Sequence, residues 1–369
     1  MLLRTAFRQI LDGHAVCVVL PEDGPLVPAL REIGVSVEIV PLDPTIRKKY
    51  FKSPVSFCRF IVECMRSVSA FKAICRKYDV GVIYSNTSQS VTGGIVAKQL
   101  GIPHVCHVRE SYAGFGFFWK LYRQFLLKYS GKIICVSDAI AAQFPKGKIG
   151  NKVVAVHDGF PLDEFDPVPA ERIAGFKDKF DLNNRLLVGL VGRIILQRKG
   201  QDVFVKAIAR LKDKWPEVRF LMIGACYPGN EYHLDNLNRL IDDLGIRNLI
   251  VFTGEVKDIK AAYAALDVSV MASATPEPFG GTTIESMAFA KPVVGTNIGG
   301  TPEQIGDGET GILIPPNDPD AMADAISKLL ADEPLRSKMG RAGRQRFERE
   351  FGFGPYYKKL MTAVSGVNA

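Results

Sequence analysis

The chain has 369 residues, 47% hydrophobic and 23% charged, which suits a globular protein of two domains that each bury a core. Its longest apolar runs, such as Ala15 to Leu20, are far too short to span a bilayer, and no basic start leading into an apolar stretch and cleavage site is visible. The net charge of +8 is uneven: residues 1–150 hold 20 Lys and Arg against 10 Asp and Glu, a net of +10, and the rest hold 27 against 29, a net of −2. Such asymmetry fits either ordinary solvated helix faces or an anionic partner on the N-terminal half, a membrane face or a lipid phosphate. No nucleic-acid-binding motif accompanies the charge, so nucleic acid is not the expected partner. Seven scattered Cys, none in a C-x-x-C pair, read as reduced core residues of a cytoplasmic protein.

Met1 leads straight into an amphipathic helical pattern, Leu2-Leu3, Phe7 and Ile10-Leu11. Strands are predicted at Ala15–Leu20, Ser36–Val40, Val80–Tyr84, His104–Val108, Lys132–Val136 and Val153–Val156, with helices near 25–33, 54–77, 90–100, 117–129 and 137–143. Apolar strands alternating with helices specify a parallel sheet covered on both faces. His107, Arg109 and Glu110 close the fourth strand, where residues beyond the carboxyl end face a ligand crevice in this fold class. A strand-end His is also a common structural residue, and Arg109 with Glu110 is a candidate ion pair. The segment FGFFWKLYRQFLLKY, residues 115–129, reads as a core helix with snorkelling cations or as a helix lying on a bilayer. Arg47-Lys48-Lys49-Tyr50-Phe51-Lys52 points the same way as the bilayer reading.

The stretch HDGFPLDEFDPVP, residues 157–169, lacks periodicity and marks a linker. It divides the chain into domains at 1–165 and 166–353, with a last helix from 354 onward. A second alternating series follows, with strands at Leu186–Val191, Arg219–Ile223, Ile250–Thr253, Val268–Met271 and Pro292–Gly295. The first of these ends in Gly192-Arg193, and Arg198-Lys199-Gly200 follow within a turn. Cations at such a strand-to-helix junction can neutralise a diphosphate without metal, although a solvated basic loop is the alternative. Lys199 and Arg198 are rivals for the second cation. Asp318-Pro319-Asp320 matches a metal-binding D-x-D but precedes a helix at Ala321–Leu330, where it reads as a cap.

The most informative stretch is SATPEPFGGTTIESMAFAKPVVGTNIGGTPE, residues 273–303. A polar turn holding Glu277 passes through Phe279-Gly280-Gly281 into an apolar helix from Thr282 that contains Glu285. A short strand and a second glycine pair, Gly299-Gly300, come after. Glycines let backbone approach a ligand, and a helix start aims free N–H groups and a positive dipole end at an anion. Two flanking carboxylates are acceptors suited to pairs of sugar hydroxyls. The pattern suits a sugar joined through phosphates to a ribose.

These elements together resemble the retaining nucleotide-sugar glycosyltransferases of family 4, whose E-x7-E signature is matched at Glu277 and Glu285 and at Phe279-Gly280. The likeness can be followed from about Asp12 to Tyr357. It implies the GT-B architecture: two Rossmann-like doubly wound α/β domains facing across a cleft, with the last helix crossing back onto the first. It also implies transfer of a sugar from a UDP- or GDP-sugar to a hydroxyl of a glycan or lipid-linked acceptor, with retention and without metal or other cofactor. Arg193 and Lys199 are then expected on the diphosphate. Gly280, Gly281 and Thr282 supply helix-start N–H groups beside Phe279. Glu285 takes the ribose, Glu277 the sugar hydroxyls near the anomeric carbon, and His107 the sugar from the other domain. Family members usually carry Asn where this chain has Asp158. They also begin with one more strand and a glycine-rich turn, so a gap in the first sheet and a natural start upstream of Met1 are expected. The alternatives are a nucleotide-sugar-binding relic without turnover and a GT-B sugar epimerase. The implied location is cytoplasmic, with peripheral contact at the inner membrane face.

Overall fold

Short aliphatic and β-branched runs, each followed by a helical segment, build two parallel α/β units in a computed structural model that describes residues 1–42, 53–145 and 150–367. The first unit comprises Met1–Asp158 and Tyr356–Ala369, and the second Gly159–Pro355. The division thus falls seven residues before the predicted boundary. Phe160 and Phe165 explain the difference, because both are buried in an apolar cluster of the second unit with Met271, Ile284, Phe347 and Phe351. Phe160 also donates its N–H to Phe351 O at 2.8 Å and accepts from Phe353 N at 2.8 Å.

In the first unit, β1 (Cys17–Leu20) and β2 (Ser36–Ile39) pair in parallel as a sheet of their own. β3 (Ile83–Ser85), β4 (His104–Val108), β5 (Lys132–Cys135) and β6 (Val153–Ala155) form a second parallel sheet in sequence order. Among the described residues the two sheets share no strand pairing, so the single doubly wound sheet is in two pieces. All five residues of β4 are buried, as a strand covered on both faces requires. The segment Arg47–Lys52 lies outside the described residues.

The helix Gly116–Tyr129 packs one side inward and leaves another exposed. Trp119 and Leu126 are buried, while Phe117, Phe118 and Leu121 are 68%, 52% and 57% exposed. Among the described residues no helix is long and apolar enough to cross a membrane. The cysteines depart from expectation: Cys64, Cys75, Cys106 and Cys135 are buried, but Cys17 and Cys226 are half-buried and Cys58 is exposed. The helix Pro54–Lys77 turns Cys58 outward beside exposed Phe57, Ile61 and Val62.

The second unit holds six parallel strands: β7 (Leu187–Val191), β8 (Arg219–Ile223), β9 (Ile250–Gly254), β10 (Val268–Met271), β11 (Val293–Thr296) and β12 (Gly311–Ile314). Their spatial order is β12-β11-β10-β7-β8-β9. The order reverses between β7 and β10, which is where an open α/β sheet leaves its ligand crevice beyond the carboxyl ends. The core beneath is close-packed around Phe204, Phe220, Ile208 and Ile326, all fully buried. Each such side chain contributes about 1.5–3 kcal/mol relative to exposure. Asp318 caps the helix Pro319–Ala331, its Oδ1 accepting from Asp320 N at 3.1 Å and Ala321 N at 2.9 Å, while Asp320 pairs with Arg210.

Candidate functional site

The loops after β7 and β10 meet at the point of reversal. After β7 the chain runs through Gly192 and Arg193 into a one-turn helix, Leu196–Lys199, and then Gly200. Gly200 is left-handed, with φ of +67°, and a Cβ there would sit 1.9 Å from Ala272 O at the end of β10. Only glycine lets the two loops close up so tightly. The approach carries Lys199 Nζ to 2.7 Å from Glu277 Oε2. Arg198 Nη2 stands farther off, 3.8 Å from Oε1, with its side chain 56% exposed against 23% for Lys199. Lys199 therefore has the tighter geometry of the two rival cations.

Glu277 is fixed through its backbone as well. Its carbonyl accepts from Gly300 N at 2.8 Å. Gly299, with φ of +63°, lies so close that a Cβ would fall 2.3 Å from Glu277 O and 2.7 Å from Glu277 N. The second glycine pair thus acts as a clamp on the acidic loop. The helix Gly281–Ala288 begins beside it with Gly280 at the cap position and no side-chain cap, so its first N–H groups keep their donors for an anion. Gln304 Nε2 donates to Gly280 O at 3.0 Å and steadies the entry to the helix, with Thr282 in its first turn.

Glu285 lies one turn along the same helix. It accepts a 2.6 Å hydrogen bond from Tyr263 OH, and a Cβ on Gly281 would lie 3.9 Å from its Oε1. Burial, then the neighbouring Glu285 carboxylate, holds the Tyr263 phenol well above its ordinary pKa, so it stays a donor. Arg193 is placed differently. Its guanidinium stands 5.4 Å from the centroid of the Tyr227 ring, and it forms no ion pair among the described residues. Phe279 packs toward Phe351, ring centroids 6.0 Å apart.

His107 belongs to the first unit, is fully buried on β4, and pairs its Nδ1 with Tyr84 OH at 2.5 Å. Burial, and next the charge of Arg109, push its pKa well below the usual value, so the ring is neutral. Arg109 Nη2 faces the same Nδ1 at 3.5 Å, and a guanidinium only donates. Nδ1 is therefore the bare nitrogen, Tyr84 donates to it, and the proton rests on Nε2. That Nε2 is buried with no hydrogen-bond partner, a donor left unused.

The suggested Arg109–Glu110 pair does not form. Arg109 grips Asp158 with two bonds, Nη1 to Oδ2 at 2.7 Å and Nη2 to Oδ1 at 3.0 Å. Burial works against the Arg109 charge, and Asp158 outweighs it. Glu110 instead accepts from Thr87, from Ser88 Oγ at 2.6 Å and from Arg109 N at 3.1 Å. Tyr84, Tyr263 and Gln304 escaped the sequence reading because each lies on a neighbouring element: strand register brings in Tyr84, and packing of the helices Ile259–Ala265 and Thr301–Gln304 brings in the other two. Asp158 was visible as an acid in place of Asn, but its partner was not.

Six parallel strands in this order, with cations, acids and an uncapped helix at the reversal, together with a separate parallel unit, define the GT-B architecture. Residues 3–159 match the glycosyl transferase 4-like domain and residues 175–346 match glycosyl transferases group 1. The chain belongs to the family 4 type of glycosyltransferases. It is 34% identical over 194 residues to a GDP-mannose-dependent alpha-(1-6)-phosphatidylinositol monomannoside mannosyltransferase of Mycolicibacterium smegmatis, covering 50% of this chain and 49% of that one. It is 32% identical over 203 residues to a D-inositol 3-phosphate glycosyltransferase of Streptomyces avermitilis, 53% of this chain and 43% of the other. The chain spans about half the length of the curated relatives it matches. Anabaena Alr3699/HepE in complex with UDP shares the fold, with a TM-score of 0.83 at 21% identity over 99% of this chain and 96% of that one.

Proposed function

We propose that this protein transfers a hexosyl group from a UDP- or GDP-sugar to a hydroxyl of a glycan or lipid-linked acceptor, with retention of anomeric configuration. The observation that carries the reading is the Lys199–Glu277 pair beside the uncapped start of the helix Gly281–Ala288. A cation, free N–H groups and a carboxylate then converge where a diphosphate and its sugar would meet. Lys199 and Arg193 offset the charge that grows on the departing diphosphate, and no metal is needed for that task. The N–H groups of Gly281 and Thr282 take the distal phosphate. Glu285, held by Tyr263, accepts from the ribose hydroxyls, and Glu277 accepts from the sugar hydroxyls. The named relatives use GDP-mannose or act on inositol phosphate, which supports a nucleotide-sugar donor.

Location at the cytoplasmic face of a membrane fits the same reading. Exposed Phe117, Phe118 and Leu121 share a basic half-chain that anionic lipid would attract.

The test is a thermal-shift panel of UDP- and GDP-sugars followed by kinetics of Glu277→Gln with the donor so found. The amide keeps the size of the side chain and loses its charge. Transfer should fall far more than nucleotide affinity does. Equal loss of both contradicts the role of Glu277, and no response to any activated sugar removes the assignment.

A further inference from the structure

A cavity of about 350 Å³ opens at the amino ends of β4, β5 and β6, the opposite end of β4 from His107 and Arg109. It is lined by Lys98 at the end of the helix Thr92–Leu100, by Lys128, Tyr129 and Ser130 where the helix Gly116–Tyr129 runs into β5, by His104 at the start of β4, and by Lys152 just before β6. Three separate crossovers thus bring one lysine each to the same space. No carboxylate lines it, and none of the three lysines has an ion-pair partner among the described residues.

His104 contributes no charge at neutral pH, because burial pulls its pKa down to about 4; its Nδ1 lies 3.0 Å from Tyr129 O and its Nε2 2.9 Å from Ser85 Oγ. Lys152 is half-buried; burial, then the Lys98 charge, pulls its pKa down. Crowding cations in this way costs stability unless something offsets them. Lys98 and Lys128 lie in last helical turns, where each helix end carries about half a negative charge. Roughly two positive charges remain uncompensated, which matches a phosphate monoester at neutral pH.

A second observation points the same way. Ser130, in the cavity wall, is 3% exposed, and its Oγ has no hydrogen-bond partner. Buried hydroxyls are rarely left so, and an anion in the cavity gives this one an acceptor. The volume suits a phosphate on a small polar body, at the low end of the range for ligand pockets.

We propose that this cavity binds a phosphate monoester through Lys98, Lys128, Lys152 and Ser130, at a site distinct from the nucleotide-sugar site of the second unit. The phosphate is carried either by a small soluble compound or by a lipid headgroup. Both present the same dianion.

The test uses the full chain. Thermal-shift titrations with inorganic phosphate and glycerol 3-phosphate, at matched ionic strength, read the soluble source. Co-sedimentation with phosphatidylcholine vesicles containing phosphatidic acid, against phosphatidylcholine alone, reads the headgroup. Binding in at least one arm is expected, weakened about tenfold in Lys98→Met and Lys152→Met for loss of one charge-assisted contact. Ser130→Ala should weaken it less, and Lys212→Met on the second unit not at all.

Lys152→Met should also hold or raise the thermal midpoint in phosphate-free buffer, because it removes a crowded cation. That result separates lost binding from lost folding. A soluble response assigns a free phosphorylated compound, and a response confined to phosphatidic acid assigns a headgroup; either supports the site. No response in both arms, or one that Lys98→Met and Lys152→Met leave intact, overturns it. These variants keep the nucleotide-sugar response whatever the outcome, so this site fails or stands apart from the proposed transfer activity.

Discussion

Alanine at Gly299 tests whether the second glycine pair serves Glu277. Two costs arise. Holding an alanine at φ of +63° costs about 1–2 kcal/mol. The new Cβ would also fall 2.3 Å from Glu277 O, where ordinary contact begins at 3.4 Å, so the acidic loop must retreat by about 1 Å. A misplacement of that size at a reacting centre lowers kcat/KM by about 100-fold. Gly308→Ala supplies the control, because its φ of +72° carries the same strain and a Cβ there meets nothing within 4 Å. Both variants should lose roughly 2–8 °C of Tm through the shared strain. Only Gly299→Ala should also lose transfer, measured as nucleotide release with the donor from the sugar panel. Equal rates in the two variants would refute the clamp.

Two further predictions concern the first unit. Burial lowers the His104 pKa from 6.5 to about 4, so the unfolded chain binds a proton that the folded one refuses. The associated stability is complete above pH 6.5 and is lost as pH falls toward 4, a total of roughly 3 kcal/mol. The midpoint of His104→Gln should therefore fall less steeply between pH 7 and 5 than that of the wild type; parallel slopes would rule the account out. Among the thiols, Cys58 should react with an aromatic disulfide reagent in the folded protein. Cys106 and Cys135, whose pKa burial pushes up, should react only on unfolding, and early labelling of either would contradict their packing.

Strand positions were largely legible in the sequence because buried parallel strands are short, continuous apolar runs. His104–Val108, Arg219–Ile223 and Val268–Met271 fall on their predicted bounds. β12 was missed because Gly311-Ile312-Leu313-Ile314 is brief and lies between Gly308 and Pro315, which resemble a turn. The helix Glu333–Glu350 was missed for the opposite reason. Its buried stripe is only Met339, Gly340, Gly343 and Phe347, set among charged residues. At the candidate site, the Glu277-to-Glu285 spacing and the cations after β7 could be read from local pattern. Local pattern did not decide between Arg198 and Lys199, since the nearer approach of Lys199 to Glu277 depends on how closely Gly200 packs on Ala272. The Arg109–Asp158 grip joins residues 49 apart, beyond any local pattern.

The last helix has a consequence for biosynthesis. From Tyr356 onward the chain belongs to the first unit, where Tyr356 OH lies 3.3 Å from Thr5 Oγ1 and Tyr357 lies against Arg8. The first unit therefore lacks one wall until Tyr356 and the residues after it have been made. The middle portion, Gly159–Pro355, is continuous and has no such wait. Maturation on the ribosome should run out of order, with the second-made body settling before the first-made one is sealed.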